Sequence, residues 1–162
     1  MTNAAANTTA LAARIDRLES RQAIRDLVSD YCHGFDKREF ERFLAIWWQD
    51  CSWDIGPPFG SFSDHDGIRT AIHDVLWPAW AHSLHLTTNL RVAFEDNNHA
   101  TGVSDVHCVG SLAGETTCTV VGASYFDHYE RRGDTWKILR RAVTIHYFNP
   151  VPGAELSPPA GD

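Results

Sequence analysis

From Leu11 onward, apolar residues recur at helical spacing. Leu11, Ile15, Leu18, Ile24, Leu27, Val28, Tyr31 and Phe35 fall near one face, with Arg14, Asp16, Arg17, Glu19, Arg21, Arg25 and Asp26 largely on the other. Thr8 or Thr9 supplies a cap, and Gly34 a stop. A second helix follows, because Phe40, Phe43, Leu44 and Trp47 repeat at i, i+3, i+4 and i+7. Residues 50–56 read as a short strand ended by Gly56-Pro57-Pro58. A third helix begins near residues 64–66 and presents Ile68, Ile72 and Val75 or Leu76 before Pro78 ends it.

The remainder reads as strand. Residues 82–94 alternate, with Leu84, Leu86, Leu90, Val92 and Phe94 on one face and Ser83, His85, Thr87, Asn89 and Arg91 on the other. Asp96-Asn97-Asn98 makes a turn before a strand over 101–112. Residues 116–132 and 135–148 form a long hairpin about Gly133-Asp134. Residues 149–162 carry four of the seven prolines and read as a surface tail. Helices first and antiparallel strands afterwards predict an α+β fold. The expected division is a flexible N-terminus at 1–10, one domain over 11–150 and a Pro-rich tail at 151–162.

Composition narrows the function. The chain has 162 residues, the size of one ordinary domain, and 43% of them are hydrophobic. A formal charge of −7 argues against a nucleic-acid partner, which needs a positive footprint. No run of about eighteen apolar residues predicts a membrane span. Residues 1–10 lack the pattern of a signal peptide, so the cytoplasm is the expected compartment. Cys32, Cys51, Cys108 and Cys118 show no metal-binding spacing and read as small buried hydrophobes. Six Trp beside eight Phe, four Tyr and a single Met imply a thick core or a pocket for a flat substrate.

Nine histidines are many for this length, but His82 and His85 point to opposite faces of their strand and share no metal without distortion. No metal or cofactor is expected, and nucleotide and serine-hydrolase motifs are absent. Three features stand out. Asp36 follows Phe35 at the helix exit. His85 belongs to a polar strip with Ser83, Thr87 and Asn89. Arg141 alternates with Leu139, Val143, Ile145 and Tyr147, and a guanidinium on an apolar face requires either an anionic partner or a route to solvent.

Several stretches together resemble a known family. They are residues 24–36, Asp36-Lys37-Arg38, Ala45-Ile46-Trp47-Trp48, Val75-Leu76-Trp77-Pro78, His85 with Thr88-Asn89-Leu90-Arg91, Tyr129-Glu130-Arg131-Arg132, Trp136-Lys137, and Tyr147-Phe148 with Pro150. They are similar to the hexachlorocyclohexane dehydrochlorinases, which stand with scytalone dehydratase and SnoaL-like proteins in the nuclear transport factor 2-like superfamily. The similarity spans roughly residues 14–155. It implies a cone of curved antiparallel sheet, closed on one side by helices around a deep pocket, commonly in homotrimers.

The resemblance further implies a dyad of Asp36 and His85, in which His85 abstracts a proton and Asp36 orients its ring. Arg141 matches the family arginine of the last strand. Where the dehydrochlorinases carry a lysine on the first helix, this chain has Tyr31, a donor better suited to an oxygen leaving group than to chloride. Trp48, Trp53, Trp77 and Asn89 are the expected pocket residues. His107 is either a further polar pocket residue or a satisfied sheet histidine.

The expected function is therefore a cofactor-free lyase. A base removes a proton, and water or a small carbonyl such as formaldehyde leaves an oxygenated aromatic substrate, for example a lignin-derived diarylpropane. The alternatives are dehydrochlorination of a chlorinated ring, ketosteroid-type isomerisation, and a non-catalytic ligand-binding module.

Overall fold

The computed structural model describes residues 2–157. It opens with a long helix, α1 (Thr2–Asp36), followed by the short α2 (Phe40–Ala45). Strands β1 (Trp47–Gly56) and β2 (Gly60–Ser63) precede a helical connection made of α3 (Asp64–Thr70), a π-helical turn (Ala71–Leu76) and α4 (Trp77–Ala79). Four long strands complete the chain: β3 (Trp80–Phe94), β4 (His99–Leu112), β5 (Thr117–Arg132) and β6 (Thr135–Glu155). The sheet order is β2-β1-β6-β5-β4-β3. The α+β class expected from the element order and the cone implied by the resemblance are the architecture found, but β1 runs parallel to β6, so the sheet is mixed rather than purely antiparallel.

Several predicted boundaries move, each for a local reason. Helix α1 starts before Leu11 and runs through Gly34. It ends because Arg38 takes a left-handed backbone (φ 59), with the amides of Lys37 and Glu39 bonding back to the carbonyls of His33 and Gly34. Gly34 serves packing instead: a Cβ there would lie 2.8 Å from the Phe43 backbone nitrogen, where α2 crosses α1. Trp47 belongs to β1, not to the second helix. Pro78 lies inside α4, at a position where a missing N–H costs nothing. Strand β6 extends to Glu155, pairing with Thr117, so the first part of the predicted tail is sheet. Residues 158–162 of that tail lie outside the described residues.

Before its register shift at 88–91, β3 turns the face opposite to the simple hydrophobic reading inward, whereas Val92 and Phe94 beyond the shift pack on the core as expected. Leu84 and Leu86 point outward and are 57% and 51% exposed, while Ser83, His85 and Thr87 point toward α1. A period of two says which residues share a face, not which face is inside. Here polar partners on α1 decide: Asp36 bonds Ser83 and His85, and the Cys32 sulfur lies 3.2 Å from the Thr87 hydroxyl. The core fills the space between α1, α2, the helical connection and the inner sheet face. Ile24, Phe43, Trp47, Trp53, Ile68, Ile72 and Ile138 are buried there. All four cysteines are free, with three buried and Cys32 partly so.

Candidate active site

Asp36 is the last residue of α1, and the aromatic packing around it fixes where it points. The Trp77 indole donates to the Phe35 carbonyl at 3.1 Å, capping the helix end. Phe35 in turn stacks edge-on against the His85 ring at 4.9 Å. Asp36 Oδ1 accepts from Ser83 Oγ at 2.7 Å and from His85 Nδ1 at 2.7 Å, and its Oδ2 accepts from the His85 backbone N–H at 2.7 Å. Burial pushes the Asp36 carboxyl up, but the bonds and charge of His85 and the Ser83 hydroxyl outweigh it and hold the pKa below its ordinary value. An ionised Asp36 accepts at every contact. In the neutral imidazole the proton therefore sits on Nδ1 and the lone pair on Nε2.

The imidazole lines a cavity between α1 and the inner face of the sheet. Apart from His85, its walls are mostly apolar: Phe35, Trp53, Ile55, Trp80, Val106, Val143, Ile145 and Phe148. The exceptions that carry a polar group are Tyr31, Tyr125 and Cys108, whose sulfur is 3.8 Å from His85 Nδ1. Burial raises the Cys108 thiol to about 12, so it stays protonated. Burial likewise pushes the Tyr31 phenol up to about 12, against the opposing pull of Arg141 and the Tyr125 hydroxyl. A phenol in that state donates a hydrogen bond and does not serve as a base at neutral pH.

Arg141 is fully buried, with its Nε and Nη2 bonded to the two oxygens of Asp127 at 2.7 and 2.8 Å. Its guanidinium carbon sits 4.3 Å from the ring centres of both Tyr31 and Tyr125. Arg141 does not line the cavity. It lies behind the two phenols, so any influence on a bound molecule passes through them.

The cavity gathers His85, Tyr31 and Trp53, with Asp36 directly behind His85, but four predicted pocket residues lie elsewhere. Trp48 is turned away from buried Trp47 by strand alternation; its indole donates to the Glu130 carbonyl at 2.9 Å between Arg132 and Lys137. Trp77 is spent on the cap of α1. Asn89 has a left-handed backbone (φ 56) at the register shift between Thr88 and Arg91, which swings it out of the His85 row to bond Asp105 at 3.0 Å. His107 pairs with outward-facing Leu86 and is exposed. Among the described residues, no group of three or more His, Cys, Asp or Glu could hold a metal ion. No helix among them is long and apolar enough to cross a membrane.

A SnoaL-like domain matches residues 16–142. The chain belongs to the SnoaL-like family. Hexachlorocyclohexane dehydrochlorinase 1 of Sphingobium indicum is 37% identical over 90% of this chain and 94% of its own length. The gamma-hexachlorocyclohexane dehydrochlorinase of the same species is also 37% identical, over 90% of this chain and 92% of its own. The solved structure of LinA superposes with a TM-score of 0.86 at 36% identity, covering 90% of this chain and 99% of that one. A candidate scytalone dehydratase of Novosphingobium aromaticivorans shares the fold (TM-score 0.77) at 19% identity, over 92% of this chain and 99% of its own. This SnoaL-like chain is an enzyme of the lyase class.

Proposed function

We propose that this lyase eliminates HX across adjacent carbons of an apolar, halogenated ring. The observation that carries the reading is the Asp36–His85 pair facing an otherwise apolar cavity. His85 Nε2 takes the proton from one carbon, and the C–H electron pair becomes the new carbon–carbon double bond. The halide departs from the neighbouring carbon with the C–X pair. Asp36 stays ionised, holds the ring in the productive tautomer and stabilises the imidazolium that forms. The dehydrochlorinase relatives favour halide loss over release of formaldehyde from a diarylpropane.

A second reading, dehydration of an oxygenated ring, is favoured by one observation: Tyr31 places a neutral phenol where the resemblance implies a lysine. The two readings separate in one assay. Purified protein is incubated with γ-hexachlorocyclohexane, and released chloride and remaining substrate are followed together. Chloride release that depends on His85 is the expected result. Intact substrate throughout, for this and for other chlorinated cyclohexanes, would overturn the halide reading in favour of dehydration.

We also infer that the enzyme assembles with copies of itself, as a trimer by analogy with its family. Leu84, Leu86, Val103, Phe126 and Tyr147 are large, exposed and carried on the long strands, which supports a buried sheet surface in the assembly. Sedimentation equilibrium at micromolar protein is expected to return a multiple of the 18.1 kDa chain mass. A monomer mass at that concentration would remove this part of the proposal.

A further inference from the structure

Three tyrosines surround Arg141, and their hydroxyls have different fates. Tyr129 donates to Asp127 Oδ2 at 2.6 Å and is thereby committed to the ion pair. Tyr31 and Tyr125 instead pair with each other: their rings meet edge-on at 5.5 Å. The Tyr31 hydroxyl interacts with Tyr125 and with the Arg141 cation, and the Tyr125 hydroxyl with Tyr31. Among the described residues no carboxylate takes either proton. Both phenols line the same cavity as His85, whose ring is 6.2 Å from that of Tyr31.

We propose that Tyr125, together with Tyr31, forms a paired-phenol donor site that receives the negative charge developing on the substrate as His85 removes its proton. This rests on the elimination reading above and names the group that assists departure.

The physical case has three parts. An O–H donor in an apolar pocket acts on developing charge far more strongly than it would in water. Arg141, 4.3 Å from both ring centres, withdraws electron density from both rings and favours an anion near their hydroxyls. Asp127 holds that guanidinium in place through two bonds, so the charge behind the phenols is prearranged. The phenols keep their protons throughout. One phenol donates to the other's oxygen and the second donates to the departing atom, which leaves with the C–X electron pair while His85 keeps the substrate proton. Halide and oxygen leaving groups share the one chemical feature this site recognises, an anionic acceptor.

The test uses 4-nitrophenolate, a flat anionic acceptor, with nitrobenzene as the uncharged control. Binding is followed by absorbance for the former and by tryptophan fluorescence quenching for the latter. Tyr125→Phe and Tyr31→Phe are each expected to weaken 4-nitrophenolate binding roughly tenfold or more, the effect of losing one hydrogen bond to a charged group. Nitrobenzene binding is expected to stay within about threefold, because the ring and its packing remain. With γ-hexachlorocyclohexane, both variants are expected to lose kcat by about one to three orders of magnitude at little-changed KM, the sign of an interaction made in the transition state.

An unchanged ratio of 4-nitrophenolate to nitrobenzene affinity in both variants overturns the donor pair, as does failure of the wild type to bind 4-nitrophenolate. Tyrosine-dependent binding without chloride release leaves the donor pair standing and removes the halide reading alone.

Discussion

Replacing His85 with alanine is expected to lower turnover by roughly two to four orders of magnitude, the usual contribution of a positioned proton acceptor. Side-chain atoms of His85 contact the cavity, Asp36 and the Phe35 ring, so the loss is chemical and the circular dichroism spectrum should remain that of the wild type. Asp36→Asn is the more informative companion. Asparagine keeps the shape but turns an amide N–H toward Nδ1, so Nδ1 accepts and the proton moves to Nε2, the nitrogen that must take the substrate proton. A comparable drop in kcat, with KM preserved, is the expected result. If His85→Ala retained activity within threefold of wild type, His85 would not be the base.

How far the dyad was legible from residues alone depends on each partner's neighbourhood. Asp36 is visible because a carboxylate follows Phe35 at a helix end. His85 is visible because a polar strip interrupts a strand. What joins them is the reversal of β3 before its register shift, and hydrophobic alternation there gives the wrong side: Leu84 and Leu86 look like core and are outside. The polar strip faces inward because Asp36 and Cys32 on α1 supply its partners. A reading that ranks strand faces by hydrophobicity cannot see a partner contributed by a helix some fifty residues away.

Bulges hid the rest. Counting back from the Gly133-Asp134 turn, with Arg132 opposite Thr135, places Arg141 opposite residue 126, a phenylalanine. The irregularity between His128 and Tyr129 adds one residue, and Arg141 then faces Asp127. The anionic partner that a buried arginine demands is thus predictable in kind, while simple counting along the hairpin misses its position by one. Asn89 fails in the same way, lost from the His85 row at the shift between Thr88 and Arg91. Tyr125 was within reach: Ala123, Tyr125, Asp127 and Tyr129 alternate on the inner face of β5. Trp48 and Trp77 show the limit of composition, since their indoles are committed to the backbone carbonyls of Glu130 and Phe35.

The Arg141–Asp127 pair carries the largest expected effect on stability. Both side chains are wholly buried, and Asp127 accepts from Tyr129 as well as twice from Arg141. Asp127→Ala strands a guanidinium and a phenolic O–H away from solvent. Breaking a buried pair from one side costs about 3–5 kcal/mol. For a chain of this size that lowers Tm by roughly 6–20 °C, at about 2–4 °C per kcal/mol, measurable by calorimetry. The double variant Arg141→Met with Asp127→Leu removes both charges and refills their volume, and is expected to recover most of that loss, since well-packed apolar replacements of a buried pair are often neutral. Activity is expected to stay low in the double variant, because Tyr31 and Tyr125 then have no cation behind them. A double variant as unstable as Asp127→Ala would mean that packing, not the uncompensated charge, governs stability here. Full activity in a refolded, stable double variant would show that the charge behind the phenols plays no part in turnover.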